Sequence, residues 1–383
     1  MKNFLFFAQK PMPRSKSDTG FIIPIILLLG LGLVTLYASS AHYAQRMFSD
    51  DFHFLERQLM VIGMSFIVCL LCSWINMDFL RKILPIIVIG IFILCLCTFL
   101  PGMGVERNGS SRWIGLPFGM TFQPSEAAKI AVVLFLANLF DKKYDRLNDA
   151  ATCVLPATIG VFCFVLIVFL QNDFSTALFI LMIGCIIFFV VGIKLYWFAI
   201  FGVFAVPVTI LFVFTKQYRV DRLIGFLRPE YDINGINYQV AMSKKAINNG
   251  GFLGKGMSGL ETVHSIPEIQ ADFVFAGWAE GMGFIGVLIY MLILGVFAWK
   301  TFGMAFRCPD RFRSITAFGC TLIIVLQSLI NCGVVAGAFP ATGIPLPFFS
   351  AGGSSILTVF CLCGFLINIS RYKAEDEVEG FVL

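Results

Sequence analysis

"SIPEIQADFVFAGWAEGMGFIG" occupies residues 265–286, and beyond it the chain runs on to Trp299 without another charge. Spanning a bilayer takes roughly 20 apolar residues in a helix. The run 273–299 exceeds that and carries one charge, Glu280. The same test applied outward along the chain gives nine more runs, at 21–40, 59–76, 83–100, 122–140, 152–170, 174–193, 195–214, 314–337 and 353–370. Polar positions in the fourth and the last two leave re-entrant segments as the alternative there. With 58% hydrophobic and 13% charged residues and a mean hydropathy of +0.87, the 383-residue chain is far more apolar than a soluble globular domain. The fold class that follows is an all-α integral membrane protein of about ten transmembrane helices, with a long structured extracytoplasmic loop at 215–272.

Orientation follows from the basic residues. With Lys2, Lys10, Arg14 and Lys16 in the cytoplasm, sixteen Lys and Arg fall in cytoplasmic segments, including Arg81, Lys82, Lys142, Lys143, Arg146 and Arg371. The short outer loops hold four, Arg46, Arg57, Arg107 and Arg112. That positive-inside bias places both termini in the cytoplasm. The organisation is then a tail at 1–20, one membrane domain at 21–370 and a second tail at 371–383. The first run lacks a small-residue cleavage site and reads as retained. The net charge of +5 reflects orientation and the long loop, not a nucleic-acid surface. Most of the twelve cysteines lie inside apolar runs and none in the outer loops, so they read as packing residues without a disulfide framework.

Two outer segments interrupt the apolar pattern. Residues 101–125, rich in Gly, Pro and a turn-forming Asn108-Gly109, fold against the membrane surface with Trp113 as an interfacial anchor. In 215–272, "RLIGFLRPEYD" and "YQVAMSKKAI" keep apolar residues at helical spacing and predict short amphipathic helices along the interface. "NNGGFLGKGMSG" (248–259) is glycine-rich but lacks the spacing and strand context of a phosphate-binding loop. In "GAFPATGIPLPFFSAGGSS" (337–355), so many helix breakers at membrane depth require backbone that lines a cavity or is covered by protein.

Charges inside the runs are costly and mark pairs or wet paths. Glu126 and Lys129, at i and i+3 after Pro124, share one helix face; they either fix packing or take part in binding. Asp173 starts the sixth run, where capping a helix competes with a binding role. Arg219, Arg222 and Arg228 punctuate the long loop, with Lys255 further on; arginine forks suit phosphate oxygens, and snorkelling toward headgroups is the alternative. In the opening stretch, Glu268, Asp272 and Glu280 bracket the boundary of the run. A carboxylate partly withdrawn from water has a raised pKa and suits a general base for a weakly acidic hydroxyl; a carboxylate favoured by the helix dipole is the alternative.

"NGSSRWIGLPFGMTFQPSEAAK", "NDFSTA", "YQVAMSKKAINNGGFLGKG", "IPEIQADFVFAGWAEGMGFIG" and "GVVAGAFPATGIPLPFFSAGGSS" occur in the order and spacing of the SEDS (shape, elongation, division and sporulation) family, which the chain resembles from its first run to Arg371. The resemblance implies a ten-span peptidoglycan glycosyltransferase that polymerises lipid II outside the cytoplasmic membrane of a bacterium. It also implies work with a class B penicillin-binding transpeptidase and, at the septum, with other divisome membrane proteins. The family's essential aspartate maps onto Asp272, the acidic and basic pair of its QPSE-x-x-K motif onto Glu126 and Lys129, the aspartate of EPDFGT onto Asp173 and the arginine of RWI onto Arg112. Departures are Gln270-Ala271 for His-Thr, Gln171-Asn172 for Glu-Pro and Ala351 for Tyr. Tyr238-Gln239 and the short stretch between Lys255 and Pro267 resemble the division branch more than the elongation branch.

On this reading Asp272 deprotonates the sugar 4-hydroxyl of one lipid-linked disaccharide, which attacks the anomeric carbon of a second with inversion. Substrate-binding roles fall to Arg112, Glu126, Lys129, Asp173, Arg219, Arg222, Lys255 and Glu268. The cationic side chains stabilise the pyrophosphate leaving group. No cofactor is demanded; a divalent cation, Mg or Mn, stays open as a helper. A flippase for lipid-linked precursors, using Glu126, Lys129 and Asp173 as its path, and a scaffold for the transpeptidase are the other function classes.

Overall fold

The computed structural model describes residues 19–372 apart from 108–109, 116–120, 233–234 and 236. Both proposed cytoplasmic tails fall essentially outside that range, as does the Asn108-Gly109 turn. All ten apolar runs lie on helices, as backbone in hydrocarbon must when each N–H and C=O needs a partner within its own segment. These are α1 (Ile22–Phe48), α2 (His53–Trp74), α3 (Met77–Cys97), α4 (Pro124–Lys142), α5 (Leu155–Leu170), α6 (Phe174–Val191) and α7 (Leu195–Val213), then α10 (Val274–Arg307), α11 (Arg311–Val335) and α12 (Gly353–Ile369). Among the described residues seven helical stretches are long and apolar enough to cross a membrane: α1, α2, α3, α5 with the turn before it, α6, α10 and α11. The last helix, α12, has 17 residues.

Between α7 and α10 stand the two loop helices expected from the apolar spacing, α8 (Gln217–Leu227) and α9 (Tyr238–Gly250). The 101–125 segment supplies something the turn signals did not indicate. It folds as a small antiparallel sheet in the order β1 (Gly104–Arg107), β2 (Ser110–Gly115), β3 (Thr121–Phe122). That sheet sets Arg112 and Trp113 on its middle strand.

α4 sits at the centre, buried on nearly every side despite Glu126 and Lys129, and packs against α3, α5, α6 and α11. α2 and α12 pack along one another, as do α10 and α11.

α10 is not the single continuous helix that its run suggests. It breaks at Gly283, whose φ of 61° and ψ of −161° no L-residue adopts without strain. A break leaves backbone groups without helical partners, and the glycine-rich stretch 250–256 provides them. Lys255 and Gly256 N–H donate to the carbonyls of Glu280 and Gly281 at 3.1 and 2.8 Å. Phe284 and Ile285 N–H donate to Gly251 and Phe252 carbonyls at 2.9 and 3.2 Å. Trp278 Nε1–H takes the Gly286 carbonyl at 2.8 Å. A Cβ at Gly283 would collide with the backbone nitrogen of Gly254, and one at Gly254 with the Gly281 carbonyl. The glycines of "NNGGFLGKG" therefore serve backbone-to-backbone contact.

Candidate active site

A cavity of about 850 Å³ opens among α2, the small sheet, the starts of α4, α6, α8 and α12, and the loops 268–272 and 342–345. Its lining brings together Arg112, Glu126, Asp173, Arg222, Glu268 and Asp272. These residues are up to 160 positions apart in sequence.

Asp173 caps its helix and also lines the cavity. Its Oδ1 accepts the Thr176 N–H at 3.3 Å as the cap of α6 and lies 3.4 Å from the Arg112 guanidinium. Its Oδ2 accepts from Gln123 Nε2 at 2.8 Å and from the Ser125 hydroxyl at 3.3 Å. Arg112 also stacks on Trp113, its guanidinium carbon 4.7 Å from the ring centroid. Asp173 thus joins β2, α4 and α6 at one point, with its side chain 3% exposed. Just before it, Asn172 holds a φ of 62°, a left-handed conformation that Asn tolerates and proline cannot reach. The departure from Glu-Pro accordingly changes the backbone here. Gln171 caps the end of α3 instead, its amide donating to the Cys95 carbonyl at 2.8 Å.

Below the cavity floor, Lys129 donates to Glu126 at 2.8 Å and to Gln327 Oε1 at 2.9 Å, and Gln327 Nε2 donates to the Pro345 carbonyl at 2.8 Å. The chain Glu126–Lys129–Gln327 ties α4 to α11 and to the proline-rich loop, which satisfies the buried charges as a pair. Glu126 reaches the cavity; Lys129 supports it from behind.

The three carboxylates of the opening stretch have three different fates. Glu280 is fully buried, and its two oxygens accept the Thr262 and Val263 N–H at 3.1 and 3.0 Å, clamping the loop that leads to the site. Glu268 is exposed at the cavity wall, with a φ of 51°. Asp272 is half-buried immediately before α10. Its backbone carbonyl is fixed by Asn331 Nδ2 at 2.8 Å, which also holds the Ile344 carbonyl. Among the described residues no hydrogen bond reaches its carboxylate. Burial pushes the Asp272 carboxyl up to about 6; Arg222 draws it down, Glu268 raises it, Arg112 lowers it and Asp173 raises it, each by less than burial does. A carboxyl raised to that range can take up a proton near neutral pH.

Arg222 bridges the cavity, its Nη1 donating to the Ala341 carbonyl at 2.9 Å. Arg219 and Lys255 lie outside the lining. Arg219 is buried and caps α7, donating to the Phe212 carbonyl and Thr215 hydroxyl at 3.0 Å each. Lys255 sits on the strap beside the broken helix, 3.8 Å from Glu261. Conversely, Arg57 of α2 and Lys216 before α8 line the cavity. They carry no local signal: Arg57 is one of four basic residues in the short outer loops and Lys216 a basic residue at the start of the long loop. Among the described residues no three His, Cys, Asp or Glu side chains converge as a metal cage.

Fold and cavity together define a polytopic helical membrane protein with a chamber lined by carboxylates and guanidinium groups. The chain belongs to the Cell cycle protein family that groups FtsW, RodA and SpoVE, matched over residues 19–375. It is similar to a probable peptidoglycan glycosyltransferase FtsW of Geobacter sp. (strain M18), 33% identical over 92% of this chain and 96% of the relative. It is also similar to stage V sporulation protein E of Bacillus subtilis (strain 168), 34% identical over 94% and 98%. Among solved structures, a chain of a peptidoglycan synthase complex, described as coordinating polymerization and crosslinking, superposes with a TM-score of 0.76 at 26% identity, covering 94% of this chain and 99% of its own. The rod shape determining protein RodA of Thermus thermophilus shares the fold, with a TM-score of 0.67 at 22% identity over 94% and 99%.

Proposed function

We propose that this chain is a peptidoglycan glycosyltransferase that polymerises lipid II, with Asp272 as general base. The observation that carries the reading is the Asp272 carboxyl, raised to about 6 by burial, at the wall of an 850 Å³ cavity also lined by Arg57, Arg112, Lys216 and Arg222. The acceptor's sugar lies at the membrane surface while its polyprenyl tail stays in lipid, so the base belongs where loop meets span. Asp272 takes the proton from the 4-hydroxyl, and the oxygen attacks the anomeric carbon of the second molecule with inversion. The departing undecaprenyl pyrophosphate takes the bonding pair, and Arg222, Arg112, Arg57 and Lys216 offset the charge that develops on it. Asp173 holds Arg112 in place, and Glu126 with Lys129 fixes the floor beneath the substrate.

The protein spans the cytoplasmic membrane with both termini inside. A class B penicillin-binding transpeptidase is its partner, by likeness to the synthase complex. We place it in the division branch, at the septum with other divisome proteins: Tyr238 hydroxyl and Gln239 amide donate to the Ser265 and Pro267 carbonyls at 3.2 and 3.1 Å, so these branch-like residues shape the approach to Asp272. The test is glycan-chain formation from purified lipid II, with and without the transpeptidase. Polymer from the wild type and none from folded Asp272→Asn or Asp272→Ala is expected; equal polymer from all three would remove Asp272 from the reaction.

A further inference from the structure

α2 and α12 carry a thiol pair that the polymerase chemistry does not use. Cys72 Sγ and Cys361 Sγ stand 3.4 Å apart, both half-buried. A disulfide needs a sulfur separation of about 2.05 Å with Cα atoms roughly 4.4–6.8 Å apart, so the sulfurs must close by little more than 1 Å. The backbones already approach at this level. A Cβ on Gly364 of α12 would press against the Cys72 Cβ and the Cys69 carbonyl. Register is pinned on both sides of the pair. At one end Asn368 Nδ2 donates to the Cys72 and Ile75 carbonyls at 3.0 and 2.7 Å; at the other Gln58 Nε2 donates to the Ser350 carbonyl at 3.1 Å. The sulfurs can therefore meet by side-chain rotation without sliding the helices.

We propose that Cys72 and Cys361 form a reversible disulfide site, a modification site that staples α2 to α12 when a diffusible peroxide reaches it. One thiol, as thiolate, attacks a peroxide oxygen; the O–O bond breaks, leaving a sulfenic acid and hydroxide. The second sulfur displaces the sulfenic oxygen as water and the S–S bond forms. In sum two thiols and one hydrogen peroxide give one disulfide and two waters, the sulfurs being oxidised and the peroxide reduced. In the proposed topology Cys72 lies two residues before the cytoplasmic end of α2 and Cys361 at the middle of α12; the reducing cytoplasm keeps the pair as the dithiol until oxidant arrives.

The test uses the full-length protein in lipid nanodiscs, treated with hydrogen peroxide, alkylated to block free thiols, digested and mapped by mass spectrometry, with Cys72→Ser and Cys361→Ser in parallel. The expected result is a peptide linking Cys72 to Cys361 in the wild type, released by dithiothreitol and absent from both variants. Alkylated thiols at both positions after oxidation, or sulfinic acid in place of the link, would overturn the proposal. So would a wild-type link that joins Cys72 or Cys361 to another cysteine. Because the readout is the covalent bond, it stands or falls apart from the glycan assay.

Discussion

Asp173 and Asp272 line the same cavity and carry the same side chain, yet the structure treats them in opposite ways. Asp173 receives one backbone N–H, an amide, a hydroxyl and a guanidinium, a set that fixes its side chain in place. Asp272 has its backbone tied by Asn331, while among the described residues nothing donates to its carboxylate. A carboxylate held by several donors serves as a joint; one withdrawn from water and left without donors is suited to take up a proton. The difference separates holding a site from working in it.

Substitution by asparagine pulls the two apart. Asp272→Asn should lower glycan formation by about 10²- to 10⁴-fold, the range that removal of a general base produces. Asp173→Asn should stay within about tenfold, because its contribution passes through Arg112. A loss at Asp173 as large as that at Asp272 would erase the distinction. Next in size is the clamp: Glu280→Ala orphans two buried N–H groups and should cost about 3 kcal/mol of stability, read as a lower melting temperature in detergent. Thermal stability then inverts the order of the two aspartates. Asp173→Asn should destabilise by about 1–2 kcal/mol through the weakened cap and ion pair. Asp272→Asn should stabilise by about 1 kcal/mol at neutral pH, after discounting for solvent in the cavity. The sign follows from a folded value of about 6, above the unfolded value of 3.8. Between those values the folded state binds more proton, so stability falls as pH rises and the full penalty is present above about 6.

Much of the fold was legible because spanning a membrane is a local property. Each apolar run needs only its own composition, and all ten fall on helices. Asp272, Asp173 and the Glu126–Lys129 pair stood out because charge beside or inside a run is costly. What stayed hidden depends on contacts between distant segments or on backbone geometry. Glu280 looked equivalent to Asp272, since no periodicity reveals that the Thr262 and Val263 N–H groups fold back onto it. The glycines at 250–256 could be excluded as a phosphate loop, but their pairing with the broken α10 requires Gly283 to be seen in its left-handed conformation. Arg219 resembled Arg222 in a run of basic residues; one caps α7 and the other crosses the cavity. Arg57 and Lys216 enter the site only because α2 and α8 converge there.

The most direct test of Asp272 as a base withdrawn from water is the pH dependence of glycan formation, from about pH 5 to about pH 8, for the wild type and Arg222→Gln. We expect an acid limb with an apparent pKa of about 6 in the wild type, falling roughly tenfold per unit below it. In Arg222→Gln the limb should move to higher pH, since the Arg222 charge draws the Asp272 carboxyl down. A flat profile through this range, or a limb that ignores the loss of Arg222, would contradict the assignment.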